Sequence, residues 1–173
     1  PAVRLVACLA LRRRADPSIA ALLDDPEPRI ALEAARAIHD VPIPAATAAL
    51  ARRLDDCPLE GSDGDAFLRR SIAACERSGG AEDVARLVRF LFRPDPPLDR
   101  RLEALAVLRD WERPPPRDRV LGMWRPFPTG RDAAGARQPL AAALPRLLAA
   151  PAAHGGERFA AAVLEAAARL GVS

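Results

Sequence analysis

Glu33, Arg36 and Asp40 stand at i, i+3 and i+7, so on a helix one guanidinium lies within reach of two carboxylates. Two carboxylates on one face are what general acid–base chemistry needs, and no other pair in the chain suggests it. The same spacing also serves an ion-pair ladder that fixes how neighbouring helical units stack. That is the preferred reading, with Glu33, Arg36 and Asp40 as structural ion pairs. His39 and His154 are the only histidines and lie far apart in sequence, which argues against a metal cluster. His39 falls in the last turn of an expected helix, where a cation complements the dipole; His154, before Gly155-Gly156, reads as a turn residue. Cys8, Cys57 and Cys75 are odd in number and lack C-x-x-C spacing. Cys8 and Cys75 sit among apolar residues and read as buried free thiols, with a Cys57–Cys75 bridge as the alternative. There is no Gly-rich phosphate loop, no G-x-S-x-G and no serine with a plausible base. The sequence therefore assigns no catalytic, cofactor-binding or metal-ligating residue.

The bulk numbers point to helices that need no such chemistry. Half of the 173 residues are apolar, mostly alanine and leucine, while aromatics make up 4 % and tyrosine is absent. Alanine and leucine are the best helix formers, and the β-branched residues that favour strands are sparse. All 26 cationic residues are arginine, against 23 acids, for a net charge of +3. The two signs are interleaved, so the surface reads as mixed and solvated rather than as a basic nucleic-acid face. No apolar run reaches the ~18 residues of a membrane span, and no signal peptide is legible. The chain opens on Pro1, which suggests a piece of something longer.

Periodicity divides the chain into about nine helices. "AVRLVACLALRRR" places Val3, Val6, Ala7 and Ala10 on one face. Asp16-Pro17 opens a short helix to Leu23. Arg29 to Asp40 carries the stripe Ile30, Ala34 and Ile38, with Ala31 and Ala35 beside it. Ile43 to Leu54 turns Ile43, Ala46, Leu50 and Leu54 inward. "DDCPLEGSDGD" reads as a loop before Ala66 to Arg77. Ala81 to Phe92 has the cleanest face, in Val84, Leu87, Val88 and Leu91. Leu98 to Trp111, Ala136 to Ala149 and Gly156 to Leu170 complete the set.

One stretch breaks the pattern. "RPPPRDRVLGMWRPFPTGRD", Arg113 to Asp132, holds five prolines and two glycines without helical period. A loop this long inside a compact domain is functional or covers something. Val120, Leu121, Met123, Trp124 and Phe127 are its apolar residues. The favoured expectation is that it folds back on the helices with Trp124 as a buried anchor; a docking patch for a neighbouring domain and a small-molecule site are the alternatives. Its candidate interaction residues are Trp111, Arg117, Asp118, Arg119, Trp124 and Arg125.

The helices also repeat. Asp25-Pro26, Arg29, Glu33-Ala34-Ala35 and Ile38 return about 70 residues later as Asp95-Pro96, Arg100, Glu103-Ala104-Leu105 and Leu108. "AFLRRSIAAC" lies between them without the Asp-Pro. Two helices per unit cannot bury an apolar stripe alone, so such units must stack. This pattern resembles the HEAT and armadillo class of helical repeats over residues 1–112, and the resemblance implies a right-handed α-solenoid of stacked hairpins. The expected organisation is one all-α domain, with repeats over 1–112, the Pro/Trp loop over 113–135 and a helical hairpin over 136–173.

A narrower resemblance rests on "LEAARAIHDVPIP" and on Asp118, Arg119, Val120, Gly122, Trp124, Arg125 and Pro126. These are similar to the helical-repeat region of large bacterial putative membrane-bound dehydrogenases, which join a sugar-dehydrogenase-like propeller to HEAT-like repeats and a c-type haem domain. Haem attachment needs C-x-x-C-H, which this chain lacks, so the resemblance implies a non-catalytic interaction module whose parent protein carries the redox chemistry and the haem elsewhere. Neighbouring domains or another protein are the implied partners, and the parent is expected to be exported or membrane-associated. The alternative is a nucleic-acid-binding HEAT-repeat protein.

Overall fold

A computed structural model describes residues 1–149 and 156–172. Among them the chain forms nine helices and no strand, an all-α fold. They fall into two compact units, Pro1–Ser78 and Gly79–Ser173.

The first unit holds α1 (Ala2–Arg13), the 3-10 helix η1 (Pro17–Asp24), α2 (Pro28–Asp40), α3 (Pro44–Arg52) and α4 (Gly61–Ser78). Pro17, Pro28 and Pro44 each open a helix, where their missing N–H costs nothing. Asp16 caps η1 by accepting from the Ser18 N–H at 3.0 Å. The helices pair as hairpins, η1 with α2 and α3 with α4. Between the hairpins α2 packs on α4 and η1 on α3, and α1 packs on α2. The unit is thus two layers built in chain order. Its interior is Ile19, Leu23, Ile30, Ile43, Leu50, Leu54, Phe67 and Ile72. Alanines 31, 34, 35 and 37 let neighbours approach α2 from several sides, which is why that helix is buried nearly all round.

Two features differ from the expected pattern. The stripe Val3, Val6, Ala7 and Ala10 of α1 faces solvent, and Cys8 is its one buried residue. Helix α4 begins at Gly61, inside the stretch that reads as a loop. Gly64 explains the early start. It lies so close to the backbone that an added Cβ would meet the Leu59 carbonyl oxygen at 2.4 Å. A sequence full of Gly, Ser and Asp can therefore be helical here because it lets α4 press on the segment that leads into it. Gly64→Ala is expected to destabilise the first unit by roughly 1–3 kcal/mol through overpacking, read as a lower urea midpoint. An unchanged midpoint would show that the Leu59 backbone yields freely.

The second unit holds α5 (Ala81–Leu91), α6 (Leu98–Arg109), α7 (Ala134–Ala149) and α8 (Gly156–Leu170). The pairing rule repeats: α5 with α6, α7 with α8, and across the layers α5 on α7 and α6 on α8. Asp83 holds the start of α5 by accepting from the Gly80 N–H at 3.1 Å. Leu87, Phe90, Leu91, Leu105, Leu108, Leu140, Phe159 and Val163 form the interior. Trp111 lies just past the end of α6, buried at 3 % exposure.

Candidate functional site

Charged residues of the first unit join its second-layer helices. Glu33 accepts from Arg12 of α1 at 2.5 Å and lies 3.7 Å from Arg36. Asp40 receives a two-nitrogen fork from Arg70 of α4, at 3.0 and 2.8 Å. The carboxylates of the i, i+3, i+7 cluster thus reach to α1 on one side and α4 on the other, and a catalytic pair has no shared space here. Arg4 forks onto Asp25 in the same way, at 2.7 and 3.2 Å. That hydrogen bond from Arg4 holds the Asp25 carboxyl below its ordinary range, against the opposing effect of burial. A lowered carboxyl pKa contributes stability above the unfolded value, about 3.9, and loses it as pH falls through the folded one. Asp25→Asn is therefore expected to lower the urea midpoint at pH 6, and the gap to the parent is expected to shrink as acid protonates Asp25 in the folded protein. A constant gap at all pH values would show that the ionised pair plays no part.

His39 lies buried in the last turn of α2, and His154 is outside the described residues. Cys8, Cys57 and Cys75 are free thiols, so the alternative Cys57–Cys75 bridge is not formed. Burial, with Glu33 adding to it, pushes the Cys8 thiol up to about 11, which keeps it protonated and unreactive at neutral pH. Among the described residues no group of three or more His, Cys, Asp or Glu is placed to hold a metal ion. A groove of about 330 Å³ runs between α1 and α2, floored by Leu5, Leu9 and Leu32 and edged by Arg29, Arg36 and Asp63.

The second unit carries the more built feature, a tongue between α6 and α7. Its base is an arginine sandwich. Arg131 lies over Trp111 at 4.6 Å and over Phe127 at 4.7 Å. Its N–H donates to the Glu112 carbonyl at 3.3 Å. Arg119 ties the tongue to α6, donating to Asp110 at 2.8 Å and to the Ala106 carbonyl at 3.4 Å. Burial pushes the Asp110 carboxyl up, but hydrogen bonds from Arg109 and Arg119 outweigh it and leave it below the ordinary range. Past this anchor the chain makes a tight turn. Arg117 and Trp124 form an antiparallel bridge, and the Arg125 N–H donates to the Pro116 carbonyl at 2.8 Å. Asp118 sits inside, its carboxylate accepting from the N–H groups of Val120 at 2.9 Å and Leu121 at 2.8 Å. Gly122 supplies the left-handed backbone, φ +69°, that closes the turn.

The expected anchor changes identity. Trp124 is 66 % exposed and does not hold the loop down; Trp111, Asp118 and Arg119 do. The physical reason is the bridge. Pairing Arg117 with Trp124 puts Trp124 on a two-residue-wide ribbon that no helix backs, while Trp111 follows α6 directly into the interior. Of the six candidate interaction residues, Arg117 and Trp124 are exposed, Arg125 is half-buried, and Trp111, Asp118 and Arg119 serve the tongue's own structure. Asp110, Phe127 and Arg131 are the partners that sequence reasoning missed.

The chain is thus an all-α protein of hairpins packed in chain order within each unit, compatible with a helical-repeat fold. No protein-family model, no curated protein and no solved structure matches it.

Proposed function

We propose that the chain is a non-catalytic, HEAT-like interaction module, a scaffold within a larger multidomain redox protein whose haem and dehydrogenase chemistry lie in other domains. The observation that carries the module reading is the stacking of hairpins in chain order, second helix on second helix, with an ion-pair ladder from α1 through α2 to α4. Such stacking leaves extended faces for partners, and the leucine-floored groove between α1 and α2 is one of them. The placement in a redox protein rests on the resemblance carried by Asp118, Arg119, Val120, Gly122, Trp124, Arg125 and Pro126. Nucleic acid is the weaker reading, because Arg4, Arg12, Arg70 and Arg109 are bound to carboxylates that a phosphate would have to displace.

Two measurements test this. The purified chain is assayed for dye-linked sugar oxidation, with no turnover expected; turnover without other domains overturns the module reading. The coding sequence on either side is expected to encode strand-rich repeats upstream and C-x-x-C-H downstream, and absence of both removes the redox placement.

A further inference from the structure

Arg101 is only 5 % exposed, yet its Nε and Nη1 have no hydrogen-bond partner among the described residues. A buried cation without partners is costly, and an unsatisfied buried group needs a physical explanation. We propose that Arg101 is the floor of a binding site for a small, singly charged oxyanion of the carboxylate class, seated where the first turns of α6 and α8 meet. This inference concerns the second unit alone and is independent of the scaffold reading.

Geometry is the first support. Asp99 pairs with Arg158 at 3.2 Å, Arg101 lies over Phe159, and Arg109 pairs with Glu165 at 3.0 Å. Residue numbers rise together along both helices, so α6 and α8 run parallel and start at the same end. Arg101 is the fourth residue of α6 and Phe159 the fourth of α8. A helical side chain leans toward its own N-terminus. The Arg101 guanidinium carbon accordingly sits 5.5 Å from the Phe159 centroid and feels the charge of Asp95, just before α6. The head therefore lies between the two first turns. Pro97 gives α6 no side-chain cap, and the N–H groups of Leu98 and Asp99 have no acceptor among the described residues. The Asp99–Arg158 pair bridges the two helix starts, but its side chains are 63 % and 68 % exposed, so it opens at little cost.

Charge selects the ligand. Residues 93–103 and 156–159 hold four arginines and four acids. Three of those acids are engaged: Arg93 forks onto Asp95, and Arg100 and Arg158 pair with Glu103 and Asp99. Glu157, the fourth, is exposed at the start of α8, where solvent screens it. The side-chain charges thus sum to zero, and the two helix dipoles decide the sign, with about half a positive charge at each start. Together these come to about one unit, which a monovalent anion neutralises and a divalent one overshoots. Free N–H groups at helix starts receive anions, and a guanidinium makes charge-assisted bonds to a carboxylate. Phe159 covers one face of the Arg101 guanidinium, which leaves its edge, where the N–H donors lie, for the ligand.

The test uses the whole chain, with sodium acetate as the probe and sodium chloride at equal ionic strength as the reference. Acetate at about 100 mM is expected to raise the melting temperature by roughly 2–4 °C over chloride. It is also expected to shift the Arg101 Nε–H resonance, assigned by its loss in Arg101→Met. That variant keeps the packing and is expected to fold as well as the parent, but to melt alike in acetate and chloride. Phosphate, at a pH where it is a dianion, is expected to stabilise the parent less than acetate does. Three outcomes overturn the proposal: equal melting of the parent in acetate and chloride, an acetate effect that survives in Arg101→Met, or a larger effect of the phosphate dianion. Should Arg101→Met melt early, the resonance of the parent decides, and an Arg101 Nε–H signal that acetate does not move counts against the site.

Discussion

Phe159→Ala is expected to destabilise the second unit by about 3–5 kcal/mol, with a fall in melting temperature on the order of 12 °C or more. The ring is fully buried on α8, the helix that packs on α6 and α7. It does more than fill space. Arg101 of α6 lies over it, its guanidinium carbon 5.5 Å from the ring centroid. Arg101 is itself buried, and its Nε and Nη1 have no hydrogen-bond partner among the described residues. Burial lowers its pKa, and the charge of Asp95 only partly opposes this. The ring face thus offsets part of the cost of a desolvated cation, and truncation would leave both a cavity and that cation. Urea unfolding measures the loss. Arg101→Met provides the complementary arm: it keeps the packing and removes the charge, so it is expected to be neutral or stabilising. A loss above about 2 kcal/mol for Arg101→Met would mean the arginine is better satisfied than its surroundings indicate.

Asp118→Ala is expected to loosen the tongue while sparing the helices. The carboxylate takes two backbone N–H groups, those of Val120 and Leu121. Hydrogen bonds to a charged group contribute roughly 1.5–3 kcal/mol, so amide exchange at Val120 and Leu121 is expected to speed up roughly 10- to 100-fold. The unfolding midpoint should move little, because the base of the tongue keeps its arginine sandwich and its tie to Asp110. Unchanged exchange at both amides would show that Gly122 and the Arg117–Trp124 bridge suffice to hold the turn.

The helices were legible because burial leaves a periodic trace. Val84, Leu87, Val88 and Leu91 are all buried on α5, and Phe159, Val163, Ala167 and Leu170 on α8. The start of α4 was not, since Gly61 and Gly64 are poor helix formers, and the value of Gly64 lies in a close approach that composition cannot express. The spacing of Glu33, Arg36 and Asp40 showed charges on one helix, but Arg12 and Arg70, their strongest partners, come from other helices, and spacing says nothing of register between elements. The two tryptophans illustrate the same limit. Both sit among arginines and apolar residues, and only the path of the chain decides that Trp111 goes in and Trp124 stays out. Asp118 was legible as a candidate but not as the tongue's internal clamp, because an acid before a glycine-containing run reads equally well as a surface contact.

The outward stripe of α1 has a consequence for how the molecule wears. That helix is held by one buried residue and by the pairs Arg4–Asp25 and Arg12–Glu33, and it leads into Arg13 and Arg14, both exposed, and Ala15, whose φ of 49° an alanine rarely adopts. An exposed, weakly secured segment ending in consecutive arginines is where a trypsin-like protease gains its first foothold. Brief digestion is expected to cut first after Arg13 or Arg14 and to spare the hairpins behind α1; a first cut within those hairpins would show that α1 is held as firmly as they are.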